Sequence, residues 1–148
     1  MWTELIPSTE ITDRITERTV DFAERFGKYL AANDKNPNDE KKLLNNNLTT
    51  SQLRKFFGEV KRQQMQGYDP TRFILLKPKL AYAVGRAKKD SKEKKDRLVT
   101  HYKIADFCNV MSKAIDLVKD EKSFSNFISV FEAIVAYHKA AEAGQIIN

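Results

Sequence analysis

The sequence has 148 residues, a length that favours a single domain and allows it to bury a hydrophobic core without crosslinks. Hydrophobic residues make up 41% and charged residues 31% of the chain, with only 4 prolines, so the composition excludes an intrinsically disordered protein. The formal net charge of +6 indicates an anionic partner such as nucleic acid, although a basic surface can also serve solubility alone.

Cysteine content and hydropathy indicate the compartment. Cys108 is the only cysteine, which excludes an internal disulfide framework and favours a reducing environment. We expect no membrane span, because no apolar run reaches about eighteen residues. We also expect no secretory signal, because the first residues lack a basic segment followed by an apolar one. A cytoplasmic protein without a membrane partner is therefore predicted.

The first predicted helix lies near the start of the chain. Apolar residues recur at near-helical spacing from Ile11 to Leu30, and Thr9 or Thr12 is a candidate N-cap. Residues 33–47 (NDKNPNDEKKLLNNN) are asparagine-rich and show no sustained period, which predicts a loop or a mobile linker.

The second predicted helix combines a strong N-terminal signal with a basic face. Thr49 and Gln52 have the spacing of a capping box, and Gly67 is placed to end the helix. The face opposite its narrow apolar stripe is predicted to carry basic side chains that no acidic residue interrupts. These side chains are Arg54, Lys55, Lys61 and Arg62.

The third predicted helix includes 77–86 (KPKLAYAVGR) and ends in the lysine-rich segment that follows Arg86. Pro78 either begins this helix, because proline is tolerated in a first turn, or kinks a longer helix. Lys79, Tyr82 and Arg86 fall on one stripe at 3.6 residues per turn. Gly85 and the alanines are predicted to let a neighbouring helix approach closely. The stripe is either a solvated surface or a ridge that binds an anionic backbone.

Two further helices complete the predicted fold. Apolar residues repeat at helical spacing between 98 and 118, and again from the candidate cap Ser123 to Gly144. No segment shows sustained strand alternation. The sequence therefore predicts an all-α fold, a single-domain bundle of about five helices over residues 1–148, with 33–47 as its loop or linker.

The sequence shows no group of residues that would support catalysis. His101 and His138 lie on different predicted helices, and the apolar face around His138 is typical of a core histidine. Cys108 is predicted to be a buried apolar residue, and Glu132 lacks a partner for acid–base work. We predict no catalytic residue, no metal ligand and no cofactor. Base-reading motifs are absent as well, so nucleic acid would be bound through its phosphates.

Three blocks together resemble the small helical subunit of the type III-A CRISPR interference complex, the Csm small-subunit family. They are LTTSQLRKFF at 48–57, LKPKLAYAVGR at 76–86 and FSNFISVFEAIVAYHK at 124–139. The match covers the second, third and fifth predicted helices, somewhat under half of the chain. The resemblance implies a non-enzymatic subunit whose copies stack head to tail beside a guide RNA paired to its target RNA. It also implies contacts with the repeated backbone subunit and the large subunit of the complex.

The same resemblance implies RNA contacts at particular positions. The blocks supply Arg54, Lys55, Lys79, Tyr82 and Arg86. The helical faces add two lysines, Lys61 and Lys77. Whether these side chains meet the guide or the target strand stays open. The alternatives are a stand-alone helical module that docks acidic partners, and an enzyme with an unrecognised site.

Overall fold

The computed structural model describes residues 2, 11–93, 99 and 101–144, with the backbone alone at 88–93. The elements in chain order are α1 (Glu17–Ala31), β1 (Lys35–Asn36), β2 (Asp39–Leu43), α2 (Thr50–Gln66), α3 (Pro70–Ile74), α4 (Leu76–Glu93), α5 (Lys103–Leu117) and α6 (Glu121–Glu142). Over the described residues, five helices have 15 residues or more and α3 has 5, which confirms the all-α prediction. In this part of the chain no helix is both long and apolar enough to cross a membrane.

Aromatic side chains from four helices meet at the centre of the bundle. The ring of Phe107 on α5 lies 5.9 Å from the rings of both Phe56 on α2 and Phe131 on α6, between centroids. The ring of Phe73 on α3 lies 5.0 Å from that of Phe127 on α6. Such large buried rings contribute much of the hydrophobic stabilisation of a core, so these contacts fix the positions of the helices.

Helices α1 and α6 approach each other closely at Gly27. A Cβ atom at this position would lie 2.9 Å from both the backbone nitrogen of His138 and the Cβ of Tyr137. The ring of His138 is buried, and its Nε2 lies 2.7 Å from the carbonyl oxygen of Leu48, which confirms the predicted core histidine. The close approach predicted at Gly85 is wrong, because a Cβ there would meet no described atom within 4 Å.

The helix ends follow local capping chemistry. The predicted capping box is present: the Gln52 N–H donates to Thr49 Oγ1 and the Thr49 N–H donates to Gln52 Oε1, at 3.1 and 2.9 Å. Gly67 ends α2 with a φ of 91°, a conformation that favours glycine. Two predicted caps need correction. Thr16, and not Thr12, precedes α1, and the other candidate cap, Thr9, lies outside the described residues. Asp120 caps α6, and its carboxylate accepts from the N–H of Ser123.

Pro78 lies in the first turn of α4, which begins two residues before it at Leu76. Proline has no N–H to donate to the carbonyl of Ile74, four residues earlier, and its ring would clash with that carbonyl. The short helix α3 accordingly ends at Ile74, and Leu75 separates it from α4. A helix boundary therefore lies at Leu75, three residues before Pro78, between α3 and α4.

Within residues 33–47, predicted as a loop or linker, Lys35–Asn36 and Asp39–Leu43 form a short β-hairpin. Lys35 pairs with Leu43 and Asn36 with Asp39 in an antiparallel arrangement with an irregular register. Asparagine side chains satisfy backbone groups that a short hairpin leaves unpaired. Asn33 Oδ1 accepts from the backbone N–H groups of Asn46 and Asn47, at 3.1 and 2.9 Å.

Candidate nucleic-acid interface

A groove of about 300 Å³ lies between α2 and α4. Lys55 on α2 and Lys79, Tyr82 and Arg86 on α4 line it. The spacing within α4 explains this arrangement, because residues three and four positions apart project from the same helical face. The structure thus brings together four of the seven residues that the sequence proposed for RNA binding.

The floor of this groove is apolar. It consists of Phe56 and Ile104, both buried, and of Ala83 and Ala87, both half-buried. The two alanines are one helical turn apart on α4, and their short side chains leave the space that the groove occupies. Basic side chains therefore surround a concave apolar surface.

Glu59 interrupts the basic face of α2, contrary to the prediction. Its Oε1 accepts from Lys79 Nζ at 2.7 Å, and its Oε2 accepts from Arg62 in the next turn of α2. The hydrogen bond from Lys79 lowers the pKa of the Glu59 carboxyl, and the hydrogen bond from Arg62 lowers it further. Glu59 is thus ionised at neutral pH and neutralises part of the positive charge at the groove.

Three of the proposed RNA-binding residues lie outside the groove. Lys61 pairs with Glu132 on α6, with Nζ and Oε1 2.9 Å apart. Lys77 pairs with Asp116 near the end of α5, with Nζ and Oδ1 2.6 Å apart. Arg54 is exposed on α2 and does not line the groove.

Lys103 is a buried charged residue that the sequence reasoning missed. Its side chain is 2% exposed, and Nζ donates to the carbonyl oxygens of Tyr29 and Ala32 at 2.9 and 2.6 Å. Nζ also lies 3.2 Å from Asp34 Oδ1 and 4.4 Å from the centroid of the Tyr29 ring. One signal was available: Lys103 lies four residues before Phe107, on the apolar face of α5.

Asp34 links Lys103 to the hairpin through Asn46. The buried Asn46 donates from Nδ2 to Asp34 Oδ2 at 2.8 Å, and to the carbonyl oxygen of His101 at 3.1 Å. Burial raises the pKa of Asp34, but the hydrogen bonds from Asn46 and Lys103 outweigh it, so the pKa lies below its ordinary value. This network joins α1, the hairpin and α5.

His101 and Tyr29 share one carboxylate at the edge of this network. The Tyr29 hydroxyl donates to Asp106 Oδ2, and His101 Nε2 lies 2.7 Å from the same oxygen. Burial, together with the bond to Asp106, raises the pKa of the Tyr29 hydroxyl, so it stays protonated at neutral pH. In the part of the chain that the structure describes, no cluster of three or more His, Cys, Asp or Glu residues is suited to a metal ion.

Cys108 is buried beneath α4, as predicted. Burial raises the pKa of its thiol to about 12, and Sγ donates to the carbonyl oxygen of Leu80 at 3.4 Å. A nucleophilic cysteine needs its thiolate form, so this thiol is inert at neutral pH.

Comparison with known protein families finds a match over most of the chain. A family model described as Csm2 Type III-A matches residues 13–143. The match runs from the residues before α1 to the end of α6 and so includes both walls of the groove. Searches of curated proteins and of solved structures found no significant match.

Proposed function

The chain belongs to the Csm2 Type III-A family, which makes it a small subunit of the type III-A CRISPR complex, and from this premise we propose that it is a non-catalytic scaffold that binds the sugar–phosphate backbone of RNA. The RNA is the guide strand and its paired target. Base pairing between these strands carries the sequence specificity, so this subunit needs no contacts that read the identity of a base.

The observation that carries the proposal is the convergence of Lys55, Lys79 and Arg86 on one open groove. Lys55 and Arg86 are exposed, and neither forms a salt bridge with a side chain that the structure describes. Lys79 shares its charge with Glu59. Three cations around a groove match a chain of phosphates, which carries one negative charge per nucleotide.

The subunit would work within a larger assembly in the cytoplasm. We propose that copies of this chain stack along the complex, beside the repeated backbone subunit and the large subunit, and that none of them supplies a cofactor-dependent activity. Each copy then needs only modest affinity, because repeated sites along one RNA raise the overall affinity strongly. Arg54, Lys61 and Lys77 lie outside the groove and would contact RNA or a neighbouring subunit from other faces.

Salt-dependent binding of a labelled single-stranded RNA tests this function. Three phosphate contacts predict that the logarithm of the association constant falls with the logarithm of salt concentration with a slope of about −2. A scrambled RNA of equal length should bind equally well. The double variant Lys55→Glu and Arg86→Glu should bind far more weakly while it keeps its helical content.

A matched charge reversal controls for net charge. Lys119 and Lys122 lie after the far end of α5, and Ile104 of the groove lies at its start, about 20 Å away along the helix. Lys119→Glu with Lys122→Glu should leave RNA binding nearly unchanged. A flat salt response, or cleavage of the RNA when Mg²⁺ is added, would contradict the proposal. Equal binding of an acidic peptide would favour the alternative of a protein-docking module.

A further inference from the structure

The groove between α2 and α4 has an apolar floor and an exposed aromatic side chain, and neither is needed to bind phosphate alone. We infer that this groove holds one unstacked base of the bound RNA strand, with the flanking phosphates at its basic rim. This inference rests on the RNA-binding function proposed above. The inference combines three properties of the same groove: its apolar floor, its exposed aromatic wall and the position of its cations.

The apolar floor calls for an apolar occupant. Phosphate is strongly hydrated and gains nothing from the surfaces of Phe56, Ile104 and Ala83. A nucleobase is flat, and burying its faces against such a surface is favourable. The volume of about 300 Å³ lies at the small end of the range for ligand sites, which suits one base and excludes a stacked run of bases.

Tyr82 supplies the aromatic wall. Its side chain is 70% exposed, although it lines a groove with an apolar floor. Aromatic rings that face solvent beside basic residues are the platforms on which proteins stack single-stranded bases. Every base has an aromatic face, so such a platform adds affinity without sequence preference. This property fits a subunit that leaves sequence recognition to the guide.

Basic side chains lie on both sides of Tyr82 along α4. Lys79 lies one turn before Tyr82 on α4, Arg86 lies one turn after it, and Lys55 faces them from α2. Lys79 and Arg86 are separated by about 10 Å along the helix axis. A base that enters between them therefore has a positive charge near the phosphate on each side of it.

The inference is tested with two RNA duplexes of identical sequence that differ at one bulged nucleotide. One duplex carries a bulged base, and the other carries an abasic bulge with the same phosphates. The full chain should bind the bulged base roughly 5- to 150-fold more tightly than the abasic duplex, which is the range for stacking of one base on an aromatic side chain. The salt slopes for the two duplexes should be equal, because their backbones are the same.

Three variants assign the difference to the groove. Tyr82→Ala should abolish the preference for the base, and Tyr82→Phe should retain it. Ala83→Leu should also abolish it, because leucine suits a helix and would fill the groove without changing its charge. Met65→Ala is the matched control: Met65 is 87% exposed and does not line the groove, so its removal should leave the preference intact.

The outcomes distinguish a failure of the base site from a failure of the proposed RNA-binding function. Equal, salt-dependent binding of both duplexes by the full chain would overturn the base site and leave backbone binding standing. Salt-independent or undetectable binding of both duplexes would overturn the proposed function as well. Displacement of the bulged duplex by adenosine monophosphate at a concentration near the dissociation constant of the duplex would assign the groove to free nucleotides, and would overturn a strand-borne base.

Discussion

Glu59 on α2 and Lys79 on α4 form a hydrogen-bonded ion pair across the groove, with Oε1 and Nζ 2.7 Å apart. The Glu59 carboxylate is the less exposed partner, at 17% against 52% for the lysine side chain, and it also accepts from Arg62. One carboxylate therefore holds two cations, and one of them, Lys79, lines the groove and would otherwise face an incoming phosphate. The groove is less positive than its basic residues suggest.

Replacing Glu59 with glutamine should strengthen RNA binding. The change removes a negative charge from the groove and frees Lys79 and Arg62 at nearly constant side-chain volume. Exposed ion pairs contribute roughly 0.2–1 kcal/mol, so the affinity gain should be about 1.5- to 5-fold, measured by titration of labelled single-stranded RNA. The salt slope should stay near −2, because Lys79 is already one of the three proposed phosphate contacts.

Asp21→Asn is the control for this variant, because it releases Arg25 on α1, outside the groove. It should change RNA affinity less than Glu59→Gln does. Weaker binding by Glu59→Gln would show that the carboxylate positions Lys79 for RNA and does not compete with the phosphate.

Replacing Gly27 with alanine should destabilise the fold. The new methyl group would lie 2.9 Å from the backbone nitrogen of His138 and 3.0 Å from the carbonyl oxygen of Ile134, so α1 and α6 must move apart. Overpacking of this kind costs about 1–3 kcal/mol, which urea denaturation would report as a lower free energy of unfolding.

Gly58→Ala is the matched control within α2. No described atom lies within 4 Å of a Cβ at this position, so alanine should raise stability by about 0.5–1 kcal/mol through its helix propensity. A shift of the free energy of unfolding in the same direction for both variants would contradict a steric clash at Gly27.

These glycines illustrate how far the sequence predicts the fold. Helical periodicity and the Thr49–Gln52 capping box are local signals, and the helices they predict are present. Which glycine meets another helix depends on partners distant in sequence: Gly27 meets α6, and Gly85 meets open space. Periodicity locates a face of a helix, but it does not identify the element that covers that face.

The candidate site also combines features that follow from local spacing with features that depend on residues distant in sequence. The α4 stripe of Lys79, Tyr82 and Arg86 follows from spacing within one helix, and the structure presents it on one groove. The role of Glu59 depends on a lysine twenty residues later, and the burial of Lys103 depends on carbonyl groups more than seventy residues earlier. The apolar face of α5 indicates that Lys103 is buried, but helical spacing does not identify the distant groups that Lys103 and Glu59 contact.

Replacing Lys103 with methionine should destabilise the attachment of the hairpin to the helices. The change leaves the carbonyl oxygens of Tyr29 and Ala32 without their lysine donor, and Asp34 without its buried counter-ion. Because Asp34 is half exposed and can be hydrated again, we expect a loss of about 2–4 kcal/mol in the free energy of unfolding. Amide hydrogen exchange should accelerate first in the hairpin.

Lys119→Met is the control for that substitution, since Lys119 is exposed. Its free energy of unfolding should stay within about 0.5 kcal/mol of the original chain. Equal effects of the two methionine variants would show that the buried contacts of Lys103 contribute little to stability.

Acid should destabilise the protein through two carboxylates that join separate elements. Hydrogen bonds from Lys79 and Arg62 lower the pKa of Glu59 below its ordinary 4.5, and those from Asn46 and Lys103 lower the pKa of Asp34 below its ordinary 3.8. A carboxyl whose pKa is lower in the folded than in the unfolded chain stabilises the fold fully above its unfolded pKa. That contribution is lost as the pH falls through the folded pKa, because the unfolded chain takes up the proton first.

The free energy of unfolding, measured in urea, should therefore decline as the pH drops below about 4.5. The double variant Asp34→Asn and Glu59→Gln should show a shallower decline, and a decline as steep as that of the original chain would contradict the assignment.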